Sequence, residues 1–154
     1  LAAERLRHSV EALELERTRG PQERRDADPS RAAVAKATCV PDATTLCLGD
    51  GGRFQVETSF ETFLGFGEGM AVPFRADTGL FWFFDSSNIE LIVKVLDACA
   101  APFDRFWVFA GGLTNVEVEL RVTDTVTGEF RVYRNPSGQS YRPVLDTSAF
   151  DTCP

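Results

Sequence analysis

From residue 39 onward apolar positions recur with a period of two, the signature of strands that bury one face. Residues 116–123, Val-Glu-Val-Glu-Leu-Arg-Val-Thr, alternate without a break, which predicts Val116, Val118, Leu120 and Val122 inside. In residues 53–60, Phe54, Val56 and Thr58 share one face. Residues 129–134 repeat the alternation, and Thr127-Gly128 joins these last two runs as a hairpin turn. Further strands are predicted at 44–48, 70–75, 79–84, 89–97, 105–110 and 140–145. Turn residues punctuate them, as at Gly49-Asp50-Gly51-Gly52, Asp77-Thr78-Gly79 and Asn135-Pro136-Ser137-Gly138. About seven to nine short strands predict an all-β chain folded as an antiparallel β-sandwich of immunoglobulin-like type.

Three of the predicted strands are apolar on both faces: residues 80–84 (Leu-Phe-Trp-Phe-Phe), 89–96 and 106–109. One face fills the sandwich, and the other is a patch that needs a cover. The N-terminal segment and a neighbouring subunit are the two candidate covers. Residues 2–19, rich in Ala, Leu, Glu and Arg, predict a helix with Ala3, Leu6, Val10 and Leu13 on one stripe. Gly20-Pro21 ends it. Such a helix is about 27 Å long and marginal alone in water, so it is expected to lie on a surface. A polar connector, 20–28, leads to Asp28-Pro29-Ser30, which predicts the start of a short helix running to Ala37. The chain thus divides into a helical arm and polar linker, 1–38, and a β domain, 39–154. Leu6, Val10, Leu13, Trp82 and Trp107 are the candidate interaction residues.

Charge and composition divide the chain at the same place. The 154 residues carry a net charge of −7. The first 38 hold 7 acids and 8 bases; the rest hold 16 acids and 8 bases, and also all 13 Phe, 2 Trp and 2 Tyr. An acidic chain excludes general nucleic-acid binding and electrostatic attachment to anionic lipid. The absence of a long apolar run argues against membrane insertion. The four cysteines, Cys39, Cys47, Cys99 and Cys153, have no Cys-x-x-Cys spacing and so point to disulfides rather than zinc. Three pairings are open. We favour Cys39–Cys47, which staples the start of the β domain, and Cys99–Cys153, which ties the chain end to its middle. The chain-entropy model assigns about 2.6 and about 4 kcal/mol to these loops. Disulfides persist outside the cytosol, so the chain is expected to be secreted, extracellular or at a cell surface. The lack of an initiating Met and of a signal peptide fits a processed chain.

Residues 39–154 also resemble a family of secreted bacterial β-sandwich modules. The matching pieces include Cys39-Val-Pro-Asp-Ala-Thr-Thr-Leu-Cys47-Leu, Gly52-Arg-Phe-Gln-Val-Glu57, Asp77-Thr-Gly-Leu-Phe-Trp-Phe-Phe84 and Asn88-Ile-Glu-Leu-Ile-Val-Lys-Val-Leu-Asp97. They continue through Trp107-Val-Phe109, Leu113-Thr-Asn-Val116, Thr123-Asp-Thr-Val-Thr-Gly128 and Asp146-Thr-Ser-Ala-Phe150. The resemblance implies an extracellular module found near the C-terminus of larger secreted proteins. It brings no catalytic motif. Residues 59–70 depart from the family, and the first 38 lie outside the resemblance.

Candidate chemistry is sparse. The single histidine, His8, lies outside the β domain, so a Ser-His-Asp or Cys-His site is not expected. Glu57 with Glu61 and Glu117 with Glu119 are spaced to share strand faces, where solvated outer positions explain them. Gly65-Phe-Gly-Glu-Gly69 lacks the pattern and lysine of a phosphate loop and reads as a strand connection. Asp85-Ser86-Ser87-Asn88 with Glu90 offers oxygens to calcium without the spacing of a calcium loop. No catalytic residue, metal site or cofactor is assigned. The expected role is a non-catalytic module that binds a protein partner or another copy of itself. One alternative is a self-assembling subunit of a filament or ring with the helix as contact arm. The other is a carbohydrate-binding module using exposed aromatics.

Overall fold

The computed structural model describes residues 38–154. The predicted helices, with Leu6, Val10 and Leu13, lie outside the described residues. The described chain forms strands β1 (Thr45–Leu48), β2 (Phe54–Thr62), β3 (Gly65–Glu68), β4 (Met70–Arg75), β5 (Thr78–Trp82), β6 (Leu91–Ala98), β7 (Arg105–Gly112), β8 (Glu117–Asp124), β9 (Phe130–Asn135) and β10 (Val144–Phe150). They make two antiparallel five-stranded sheets. The first has the order β1-β2-β8-β9, with β3 paired to the far half of β2; the second runs β10-β7-β6-β5-β4.

The alternation of the sequence dictates the core. Phe54 and Val56 on β2 and Val118, Leu120 and Val122 on β8 point from the first sheet, all at 1% exposure or less. Phe81, Leu91, Val93, Val95 and Val108 meet them from the second. Phe54 is the hinge between the layers, edge-on to Phe106 at 4.9 Å and tilted on Phe150 at 5.3 Å. Gly79 permits one close approach, because a Cβ there would strike the Leu46 side chain.

Cys39 is bonded to Cys47 and Cys99 to Cys153, with Cα separations of 5.7 and 5.6 Å. Both bonds belong to an oxidising environment. Among the described residues no helix is long and apolar enough to cross a membrane. The Arg53–Asp124 pair lies beside the same core. Arg53 donates to both carboxylate oxygens of Asp124 at 2.9 and 2.6 Å and to the Thr152 carbonyl at 2.7 Å. Its guanidinium also lies 4.6 Å from the Phe106 ring centroid.

The structure corrects the sequence expectation in four places. The described residues form ten strands rather than seven to nine, because residues 65–68 pair with β2 instead of connecting strands. The last strand lies at 144–150, not 140–145. Pro143 has no N–H to give a ladder, and residues 136–142 instead fold around the buried Asn135 amide, which donates to the Gln139 carbonyl at 2.9 Å. The strand predicted at 79–84 ends at Trp82, leaving Phe83 and Phe84 in a bend. On β9 the faces are reversed. Tyr133 turns inward and its hydroxyl donates to Asp146 at 2.9 Å, while Arg131 lies 5.0 Å from the Phe150 ring centroid. Phe130 faces out under the Arg121 guanidinium, 4.0 Å from its ring centroid.

Asp124 sets an acid limit on the fold. Burial pushes its carboxyl upward, but the Arg53 hydrogen bonds, the Val126 N–H and the Arg53 charge outweigh burial and hold it at about 2, against an ordinary 3.8. A depressed carboxyl contributes stability above its unfolded value, lost as pH falls from about 4 toward 2. Over that window the domain is expected to lose about 2 kcal/mol from this group, read by urea unfolding at stepped pH. Asp124→Ala strands a buried guanidinium and should cost about 3–5 kcal/mol at neutral pH. Reduction with dithiothreitol should lower the unfolding midpoint strongly, since the two loops together contribute about 7 kcal/mol in the chain-entropy model. An unchanged midpoint would contradict the structural role of both bonds.

Candidate interaction surfaces

The outer faces of the two sheets differ in kind. On the first sheet charged residues sit opposite one another: Glu57 faces Arg121, and Glu119 faces Arg134, with which it forms an ion pair of 2.8 Å. On the second sheet the outward row Val72–Leu80–Ile92–Gly111 crosses four strands without a charge. The next row, Arg75–Thr78–Lys94–Phe109–Leu145, has two, Arg75 at its β4 edge and Lys94 on β6. Leu96 and Trp107 face each other one row further on. This outer face is the second side of the strands whose sequence is apolar throughout.

Trp82 and Trp107 are both half-buried on this face, but the fold does not bring them together. Trp82 lies one residue past the Phe81–Leu91 pair, and Trp107 faces Leu96. That register separates them by about 20 Å along the strands. Trp107 gathers a different cluster: Phe103 meets it edge-on at 5.1 Å, and Phe109 lies tilted at 5.9 Å. Phe81, Phe83 and Phe106 are core residues and present nothing to solvent.

A second apolar feature is the β2–β3 hairpin. Thr62 and Gly65 pair across a two-residue turn made of Phe63 and Leu64. Phe63 is 96% exposed, Leu64 84% and Phe66 71%. Turns ordinarily use Gly, Asn, Asp or Ser, so large apolar side chains at this tip are anomalous for folding alone. Thr62 holds the turn: its hydroxyl accepts from Leu64 N–H at 3.1 Å and donates to the Gly65 carbonyl at 3.3 Å. Gly65 supplies the positive φ, 128°, that closes it. Phe60 anchors the base, stacked on Phe83 at 4.7 Å. Gly67 passes directly over Phe60, where a Cβ would collide with the ring.

A third feature is a groove of about 340 Å³ at the β6–β7 end of the second sheet, bounded by Ile89, Ile92, Gly111, Leu113, Tyr141 and Pro143. Glu90 also lines it and is 5% exposed. One of its oxygens accepts from Asn88 at 3.2 Å and the other has no partner. Burial pushes the Glu90 carboxyl upward. Burial likewise drives the Tyr141 hydroxyl up to about 12.

The remaining candidate chemistry is absorbed by the fold. The Asp85 carboxylate is taken by the Ser87 N–H at 2.8 Å and hydroxyl at 2.6 Å, which hold it below its usual range. Among the described residues no group of three or more His, Cys, Asp or Glu is placed to hold a metal ion. Sequence reasoning missed Phe63, Leu64, Phe66 and Leu113. The available signal was an apolar pair occupying a turn position.

If the tip serves recognition, polar replacement there should be nearly neutral for folding. Phe63→Ser and Leu64→Ser should each change stability by less than about 0.5 kcal/mol. Phe60→Ala at the hairpin base should cost roughly 2–3 kcal/mol. Thermal melts of the three variants test this contrast. No protein-family model, curated protein or solved structure matches the chain.

Proposed function

We propose that this chain is a non-catalytic extracellular module with a structural or protein-interaction role, built on an immunoglobulin-like sandwich. The observation that carries the proposal is the exposure of Phe63, Leu64 and Phe66 at the hydrogen-bonded β2–β3 tip. Side chains of this size gain most by leaving water, and here the fold gives them nowhere to go. The two disulfides support a secreted location, where a small domain meets partners without chaperones or reductants. The apolar outer face of the second sheet adds an area on which a partner can lie.

A second reading, a carbohydrate-binding module, is favoured by the Phe103–Trp107–Phe109 cluster on the outer face. Ring faces of this kind stack on the apolar faces of sugars. One experiment addresses both. A photo-crosslinking residue is placed at Leu64, at Leu145 or, as control, at Glu57, in protein returned to the extracellular fraction of its source. A discrete protein adduct from Leu64 or Leu145, absent at Glu57, is the expected result. An adduct that a glycosidase degrades favours the second reading. No discrete adduct from either apolar position overturns both.

A further inference from the structure

The hairpin tip and the groove are complementary in polarity. The tip is an apolar knob with acidic shoulders. Glu61 faces both Phe66 across the hairpin and Glu117 across β8, and Glu68 closes β3. None of these three carboxylates forms an ion pair among the described residues. The groove is apolar except for the buried Glu90 carboxyl in its lining, and bases stand at its border. Lys94 is the next outward residue on β6 after Ile92, is exposed, and has no ion-pair partner among the described residues. Arg142 stands between the lining residues Tyr141 and Pro143.

Size agrees as well. The groove's 340 Å³ has room for two or three large apolar side chains, and ligand pockets start at about 300 Å³. Gly111 keeps its floor open, since a Cβ there would meet only Ile92, at 3.8 Å. The knob is already ordered by Thr62 and Phe60, so docking it costs little conformational freedom.

We infer that the groove beside β6 and β7 receives the β2–β3 tip of a second copy of this chain. The inference rests on the interaction role proposed above and names the partner. Knob and groove are different patches on different sheets, and the inference takes the contact as heterologous rather than as a reciprocal pair closed by a two-fold axis, so a wild type that stops at a dimer overturns it. Each docking leaves one free knob and one free groove, and repetition gives a ring or a filament. Opposite charges at the two patches favour this pairing over knob against knob.

The test is sedimentation of the full chain over a concentration series. The wild type is expected to grow beyond a dimer as concentration rises. Phe63→Asp combined with Leu64→Asp removes the knob, and Gly111→Leu fills the groove. Each should weaken self-association at least tenfold while keeping the wild-type melting temperature. Mixed one to one, they should form a dimer that stops at two chains, since only one intact knob and one intact groove remain. If Gly111→Leu melts early, Ile92→Asp replaces it. A charge swap gives an independent check: Lys94→Glu should weaken assembly, and Glu61→Lys in the mixing partner should restore it. A wild type that stays monomeric overturns the inference, as does a mixture that stays monomeric. So does assembly that persists in both variants and vanishes only when residues 1–37 are deleted, which assigns the contact to the N-terminal arm. In each case the interaction role still stands or falls on the crosslinking result.

Discussion

The Arg53 guanidinium joins three pieces of chain that are distant in sequence. It stands just before β2, grips Asp124 at the end of β8, and holds the Thr152 carbonyl one residue before Cys153. Phe106 packs against its face from the other sheet. A charge in this position survives only because each side of it is occupied, by carboxylate, carbonyl or ring. Remove the Asp124 carboxylate and the same guanidinium becomes an uncompensated burden at the end of the core. The Cys99–Cys153 bond acts on the same segment covalently, keeping the C-terminal residues where the guanidinium can use them. One end of the sandwich is therefore closed by charge and sulfur rather than by apolar volume.

That closure frees the rest of the molecule to be unequal. The first sheet is ordinary: one face core, the other face charged pairs in register. The second sheet is largely apolar on both faces through β5, β6 and β7, with Lys94 the charge in the middle of its outer face. The opposite end of the sandwich carries the Phe60–Phe83–Phe84 cluster and, beyond it, the apolar hairpin tip. A stable fold does not require apolar groups there. Their concentration at one tip and one outer face is not accounted for by the core.

Much of the architecture was readable because burial on a strand obeys a period of two. β2 and β8 alternate so regularly that their inward residues are evident before any coordinates. The limits are equally physical. β9 carries amphipathic residues on both faces, since Phe130 and Val132 alternate with Arg131 and Tyr133. Which side turns inward depends on Asp146 and Phe150, which arrive from a strand later in the chain. The last strand was misplaced because Asn135 gathers the preceding loop around its own amide. The hairpin tip escaped notice because its residues violate turn chemistry instead of following it.

The all-β sandwich, the apolar character of β5 to β7 and the oxidising environment implied by four cysteines were legible along the chain alone. These follow from local properties: side-chain alternation, apolar runs and residue count. Packing between distant strands sets the distance between Trp82 and Trp107, the burial of Glu90 beside a groove, and the exposure of Phe63 and Leu64. Those facts depend on strand register and on which loops meet at one end of the sandwich. Register is a relation between segments distant in the chain, and a local pattern does not carry it.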